Sequence, residues 1–121
     1  MIKEIAFTAY PAKDVAALRS WYEKMFGMKF SPPFKEGEVE KYAESNAGGG
    51  YFSLMTTEWR GEPGSGAGVA FEVEDIAKSI ADLTSKGVKV EGPWDTPVCK
   101  IAALNDQEGN KIFLHQITVP H

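Results

Sequence analysis

The feature that most constrains this chain of 121 residues is an internal repeat. Repeats several tens of residues long indicate that one supersecondary unit occurs more than once. The matching stretches, offset by 60 or 61 residues, are GMKFSPPF (27–34) with GVKVEGPW (87–94), YFSLM (51–55) with KIFLH (111–115), Ala9-Tyr10 with Ala70-Phe71, and Asp14-Val15 with Asp75-Ile76.

The first copy predicts a strand, a helix and three further strands. IAFTAY alternates like a strand, Asp14 is placed to cap a helix, and Gly27 has the position of a left-handed helix end. The apolar residues at helical spacing are Val15, Leu18, Tyr22, Met25 and Phe26. The predicted strands that follow are 28–34, 39–45 and 51–57, with a turn at Gly48-Gly49-Gly50 before the last.

The second copy repeats this order, with GVAFEVE as a strand, Asp75 as the helix cap and Gly87 as the helix end. Its helix carries Ile76, Ile80 and Leu83, and its predicted strands are 88–94, 98–104 and 111–119. The chain is therefore predicted to be one α+β domain, 1–121, made of two βαβββ modules. The modules span about 1–58 and 67–121, joined by a Gly-rich linker at 59–66.

Composition excludes several classes of protein. The hydrophobic fraction of 43% is that of an ordinary globular protein. With a net charge of −4 and no cluster of Lys and Arg, a nucleic-acid partner is not expected. No apolar run has the length of a signal peptide or membrane span, so the sequence predicts a cytoplasmic protein. The single cysteine, Cys99, excludes an intrachain disulfide and a cysteine-based zinc site.

Two stretches resemble a known family. DVAALRSWYEKMFGMKF and LNDQEGNKIFL are similar to the helix motif and the final-strand motif of the vicinal oxygen chelate superfamily, which includes glyoxalase I, bleomycin-resistance proteins and extradiol dioxygenases. The second motif has Gln107 where the family usually has Pro. The resemblance implies eight strands in a U-shaped open sheet, helices on its outside, a ligand on its concave side, and a homodimer.

The resemblance also implies where a metal would bind. Metal-using members have His, Gln or Glu ligands on the first and last strand of each module. Aligned on Asp14, Asp75 and Gly109, these positions are Phe7, Ser53, Gly68 and Phe113. None is a suitable donor for a divalent ion. We therefore expect no metal and no cofactor, and metal-dependent glyoxalase or dioxygenase activity is not expected.

Period-two alternation assigns strand residues to one of two faces. Val69, Phe71, Ile112, Phe52 and Leu54 are predicted to pack toward the helices. Glu72 either contacts a ligand or pairs with Lys111, and Glu72 with His115 is a candidate acid/base pair. The residues predicted to line a ligand site are Phe7, Tyr51, Ser53, Met55, Glu72, Phe113 and His115.

Three functions remain open at this point. The first is metal-independent binding of an aromatic or cationic small molecule, as the bleomycin-resistance branch implies. The second is a metal-free isomerase or lyase acting on a small carbonyl compound through Glu72 and His115. The third is a structural or partner-binding module, which a wide apolar patch without a small-molecule response would indicate.

Overall fold

The computed structural model describes residue 1 and residues 5–64 and 68–119, and the chain forms two compact units. Unit 1 comprises Met1–Ser65 with Gln107–Asn110, and unit 2 comprises Gly66–Asp106 with Lys111–His121. Ser65 and Gly66, the last two residues of the predicted linker, lie outside the described residues.

Unit 1 contains a four-stranded sheet and two helices. In chain order its elements are β1 (Phe7–Ala12), α1 (Val15–Phe26), β2 (Phe34–Glu36), β3 (Val39–Asn46), β4 (Tyr51–Thr56) and α2 (Thr57–Arg60). The strand order is β1-β4-β3-β2, in which β1 runs parallel to β4 and the other neighbours are antiparallel.

Helix α1 begins and ends where the sequence predicts. The Asp14 carboxylate accepts a hydrogen bond from the Ala17 N–H at 3.0 Å, which satisfies a donor of the first turn. Gly27 ends the helix at φ 66°, a conformation in which glycine carries no steric penalty. Tyr22 is fully buried, and its ring lies 5.0 Å from that of Phe52 on β4, so α1 covers one face of the sheet.

Unit 2 repeats the arrangement with one helix. Its elements are β5 (Val69–Glu72), α3 (Ile76–Ser85), β6 (Glu91–Asp95), β7 (Cys99–Asn105) and β8 (Lys111–Ile117), in the strand order β5-β8-β7-β6. Asp75 caps α3 by accepting from the Lys78 N–H at 3.1 Å. The apolar core beneath α3 consists of Ile76, Leu83, Ala102, Leu104, Ile112 and Leu114.

The two sheets have equivalent registers. In unit 1 one row of facing residues crosses the four strands as Pro11, Met55, Tyr42 and Phe34. In unit 2 the equivalent row is Glu72, His115, Ile101 and Trp94. The βαβββ repeat predicted from the sequence is confirmed, and the fold is α+β.

The predicted strand at 28–34 is wrong. β2 starts only at Phe34, and upstream of it Phe30 forms one isolated bridge with Ser45. The two prolines of the SPPF motif explain the difference, because proline has no N–H to donate to a neighbouring strand. The equivalent strand of unit 2 also begins late, at Glu91, and β8 ends at Ile117 rather than at residue 119.

The segment predicted as a linker begins within a short helix. Trp59 and Arg60 belong to α2, which contacts β1 and β4. The Arg60 Nε donates to the Ala9 carbonyl at 3.0 Å, and the Trp59 ring lies 6.1 Å from that of Phe34. A polar, Gly-rich composition predicts a loop, but these contacts stabilise one helical turn before the glycines begin.

The turn before β8 belongs to unit 1. The Glu108 carboxylate accepts from the backbone N–H groups of Lys13 and Asp14 at 2.7 and 3.1 Å. The Asn110 amide donates to the Pro11 carbonyl at 3.2 Å. These bonds fix the connection between β1 and α1. Among the described residues, no helix is long and apolar enough to cross a membrane.

Acid is expected to weaken the contact between α1 and β3. Arg19 donates to both carboxylate oxygens of Glu40 at 2.8 and 2.9 Å, which holds the pKa of Glu40 below its ordinary value of about 4.5, although burial opposes this effect. Because the pKa of Glu40 is lower in the folded protein than in the unfolded chain, the ion pair stabilises the fold above pH 4.5. This stabilisation is lost as the pH falls through the lower, folded-state pKa. Urea unfolding of the wild type and Arg19→Met across this range should show a shallower acid dependence in the variant. Equal slopes would contradict the assignment.

Candidate functional site

The face of the unit 2 sheet opposite α3 carries Glu72, Phe113 and His115. Alternation along β8 buries Ile112 and Leu114 and leaves Phe113 and His115 on the other face. The register places Glu72 of β5 beside His115 and Trp94 of β6 in the same row. Trp94 is 49% exposed. This face therefore has an aromatic ring at the β6 edge and the polar pair Glu72 and His115 on β5 and β8, at the other edge.

Glu72 and His115 are in direct contact. The His115 Nδ1 lies 2.5 Å from the Glu72 Oε1, and the Ile117 N–H donates to the other carboxylate oxygen at 2.8 Å. The side chains are 27% exposed for His115 and 55% for Glu72. With the Nδ1 proton directed at the carboxylate, the Nε2 of a neutral His115 carries a lone pair, and the imidazole is a hydrogen-bond acceptor and a candidate base.

Phe113 fills the space beside Gly68. A Cβ on Gly68 would lie 2.8 Å from the Phe113 Cε2 and 3.4 Å from the Lys111 carbonyl oxygen. The aromatic ring therefore packs directly on the glycine backbone at the start of β5. Any larger side chain at position 68 would have to displace this ring.

Gly68→Ala is expected to lower the free energy of unfolding by about 1 kcal/mol, because the new methyl group would press on the Phe113 ring. In a Phe113→Ala background the clash is gone, and the same change should be neutral or stabilising because alanine restricts the unfolded chain. A double-mutant cycle of chemical unfolding measures this coupling. Additive effects would show that the ring does not pack on Gly68.

Unit 1 presents a second aromatic face. Phe7 and Tyr51 are direct neighbours in the β1–β4 register and are 44% and 43% exposed. The Tyr42 ring meets the Phe7 ring edge to face, with centroids 5.7 Å apart. Met55, half-buried, lies in register with Tyr42. Three aromatic rings and one thioether thus share one side of the sheet.

Ser53 lies beneath this face. It is fully buried, and its hydroxyl is 3.3 Å from the Thr8 carbonyl oxygen that accepts its proton. The sequence predicted Ser53 on the side of Tyr51 and Met55, away from Phe52 and Leu54, and the structure buries all three of Phe52, Ser53 and Leu54. The structure covers it, so Ser53 supports the face from below and is not part of its surface.

Tyr42 and Glu44 belong to the same face and were missed from the sequence. The Tyr42 hydroxyl donates to the Glu44 Oε1 at 2.9 Å. Burial raises the pKa of the Tyr42 phenol, a hydrogen bond with Ser53 lowers it, and the Glu44 carboxylate raises it. The net direction is upward, so the phenol keeps its proton and remains a donor. The alternation of β3, with Ala43 and Ser45 buried, is the signal that identifies the pair.

A polar cavity in unit 1 lies apart from the predicted site residues. Its volume is about 410 Å³, and it lies between the start of α1, residues 38–41 and the start of α2. Two lysines, Lys13 and Lys41, line it, and Lys41 is bonded to Glu58 at 2.6 Å and lies 3.9 Å from Glu36. Acidic groups therefore already compensate the charge of Lys41, and none of the predicted site residues lines this cavity.

Comparison with known proteins agrees with the fold. The profile of the Glyoxalase/Bleomycin resistance protein/Dioxygenase superfamily matches residues 4–114. The chain belongs to this superfamily. No curated protein gives a significant match.

Solved structures give the same result. TnmS3, an antibiotic binding protein from Streptomyces sp. CB03234, is 25% identical with a TM-score of 0.80, over 97% of this chain and 98% of the other. A glyoxalase/bleomycin resistance protein from the same strain is 26% identical with a TM-score of 0.75, over 93% and 100%. A lactoylglutathione lyase from Agrobacterium tumefaciens is 18% identical with a TM-score of 0.75, over 95% and 94%, which shows the fold alone.

The four positions that the resemblance assigns to metal ligands carry poor donors in this chain. Phe7, Gly68 and Phe113 have no side-chain donor atom, and the buried Ser53 hydroxyl is bonded to a backbone carbonyl. At one of the four positions the space for a ligand side chain is taken by the Phe113 ring. Among the described residues, no three His, Cys, Asp or Glu side chains cluster closely enough to hold a metal ion.

Proposed function

We propose that this protein binds a small aromatic or cationic organic molecule without a metal ion. The observation that carries the proposal is the Phe113 ring packed on Gly68, at two of the four positions that the family resemblance assigns to metal ligands, the other two being Phe7 and Ser53. Ligand sites in proteins are mostly apolar with a few polar anchors. The residues proposed for the ligand site are Phe7, Tyr51, Ser53, Met55, Glu72, Phe113 and His115, with Ser53 acting from beneath the surface.

The relatives support this proposal. A structural neighbour at 25% identity is described as an antibiotic binding protein, and another at 26% as a glyoxalase/bleomycin resistance protein. Binding without turnover needs exposed aromatic surface and does not need a metal. Both sheets of this chain have such surface on the side away from their helices.

The test is a thermal-shift screen of aromatic and amine-bearing compounds, followed by titration of tryptophan fluorescence. Trp94 lies in the row of His115, so a ligand on the unit 2 face should change its emission. The matched control is Trp94→Phe, which keeps an aromatic ring and removes the reporter. The proposal predicts saturable binding by metal-free protein. Binding that requires added metal would contradict it.

A second candidate, a metal-free isomerase or lyase on a small carbonyl compound, is favoured by the contact between Glu72 and His115. Such an enzyme would remove a proton next to a carbonyl group. Incubating dihydroxyacetone with the protein in deuterated water and following exchange by NMR tests this. Exchange in the wild type that is abolished in His115→Gln, with an unchanged melting temperature, would establish the enzyme. Binding alone predicts equal exchange in both.

We also propose that the protein is a homodimer. Apolar side chains exposed in the single chain support this, among them Phe34 and Trp59, which contact each other at the edge of the unit 1 sheet. Light scattering should give twice the mass of one chain. A monomer mass at tens of micromolar would contradict the dimer and leave ligand binding intact.

A further inference from the structure

Glu44 is a half-buried carboxylate in the middle of the aromatic face of unit 1. It lies on β3 opposite Ser53, midway between the rows of Tyr51 and Met55, each of which is two residues away along the strand. The Tyr42 hydroxyl donates to its Oε1 and fixes the orientation of the carboxylate. The raised pKa of Tyr42 keeps its hydroxyl protonated, so the hydroxyl continues to donate to the Glu44 carboxylate.

Glu44 differs from Glu23 and Glu40, two other partly buried glutamates of unit 1. Both of these pair with Arg19, at 3.2 and 2.8 Å. Glu44 forms no ion pair with any residue that the structure describes. A carboxylate that is taken partly out of water without a cation loses solvation that one hydrogen bond replaces only in part.

Aromatic rings lie on the same side of the sheet as this carboxylate. Phe7 and Tyr51 are partly exposed neighbours, and the Tyr42 ring meets Phe7 edge to face. The faces of such rings attract a cation, and an ammonium group gains most when a ring and a carboxylate contact it together. A neutral ligand would use the rings and leave the charge of Glu44 without a partner.

We propose that Glu44, with Phe7, Tyr42 and Tyr51, is the subsite for the protonated amine of an aromatic ligand. This inference rests on the proposed function and narrows its ligand from an aromatic or cationic molecule to one that carries a protonated amine. The equivalent position in unit 2 is Ala103, opposite Phe113, so the repeat has this carboxylate in one module only. Among the residues that the structure describes, the amine subsite therefore lies in unit 1 and has no equivalent at the matching position of unit 2.

The experiment compares phenethylamine with phenethyl alcohol, which differ by an ammonium and a hydroxyl group at neutral pH. Binding is followed by backbone NMR shifts of β1, β3 and β4 in the full chain. The wild type is expected to bind the amine more tightly. Glu44→Gln keeps the acceptor for Tyr42 and removes the charge, and it should weaken amine binding about tenfold while changing alcohol binding less than about twofold.

Two further variants separate charge at this site from general effects. Glu38→Gln makes the same change of charge on the exposed turn between β2 and β3, and it should leave amine binding within about twofold of the wild type. Tyr51→Leu keeps apolar bulk and removes a ring, and it should reduce the preference for the amine over the alcohol. Because Glu44 lacks a cation partner among the described residues, Glu44→Gln should not lower the melting temperature.

The outcomes distinguish this inference from the function on which it rests. Equal affinity for amine and alcohol, or an equal loss in Glu38→Gln and Glu44→Gln, overturns the amine subsite and leaves small-molecule binding intact. A lower melting temperature for Glu44→Gln, with unchanged amine binding, assigns Glu44 a structural role and also overturns it. If neither compound shifts the signals of this face at millimolar concentration, the subsite is overturned, and the Trp94 titration decides the proposed function separately.

Discussion

Leu114→Ala is expected to lower the free energy of unfolding by about 2–5 kcal/mol, the largest effect of any single change considered. Leu114 is fully buried in the centre of β8, among apolar residues beneath α3. Truncation removes apolar contact area and leaves a cavity, because the strand is held by hydrogen bonds to β5 and β7 on both sides. Urea unfolding followed by circular dichroism measures the loss.

Ile117→Ala is the matched control on the same strand. Ile117 is 40% exposed, and its contact with Glu72 is made by the backbone N–H, which alanine retains. Its cost should be less than about 1 kcal/mol. Similar losses for the two variants would contradict the assignment of Leu114 to the core.

Phe113→Ala is expected to weaken ligand binding by about 2 kcal/mol, roughly thirtyfold, because aromatic side chains in the centre of a site carry most of the binding energy. Phe113 lies next to Leu114 but on the other face of β8, where it is half-buried and packs on Gly68. Its removal should therefore affect affinity more than stability. The measurement is the fluorescence titration with the compound selected in the screen.

Leu114→Ala provides the comparison for this result as well. At a temperature where it is folded, its affinity should stay close to that of the wild type. The opposite pattern, in which Phe113→Ala unfolds the protein while affinity per folded molecule is unchanged, would make Phe113 a core residue and remove it from the ligand site.

The sequence predicted the parts of the fold that depend on local chemistry. Asp14 and Asp75 cap helices because their carboxylates reach the backbone N–H groups three residues on, and this depends on spacing alone. Alternation along a strand also depends on spacing alone, and it assigned Phe113 and His115 to one face of β8. The repeat then extended these assignments from one module to the other.

Features that depend on contacts between residues far apart in the sequence were harder to predict from the sequence. Alternation placed Glu72 and His115 on one side of the sheet, but their contact depends on the parallel register of β5 and β8, which neither strand specifies alone. The Tyr42–Glu44 pair was missed because the residues of β3 were not sorted into faces. Helix α2 was missed because the bond from Arg60 to Ala9 joins residues 51 apart.

Metal content tests the central claim most directly. Tag-free protein is analysed for metals as purified, and again after soaking in zinc, nickel, manganese or iron(II) and desalting. Metal-independent binding predicts far less than one metal per chain in every sample, with unchanged affinity for the selected ligand. One tightly held metal per chain, removed only by chelation and required for binding, would contradict the assignment of Phe7, Ser53, Gly68 and Phe113 and the function built on it.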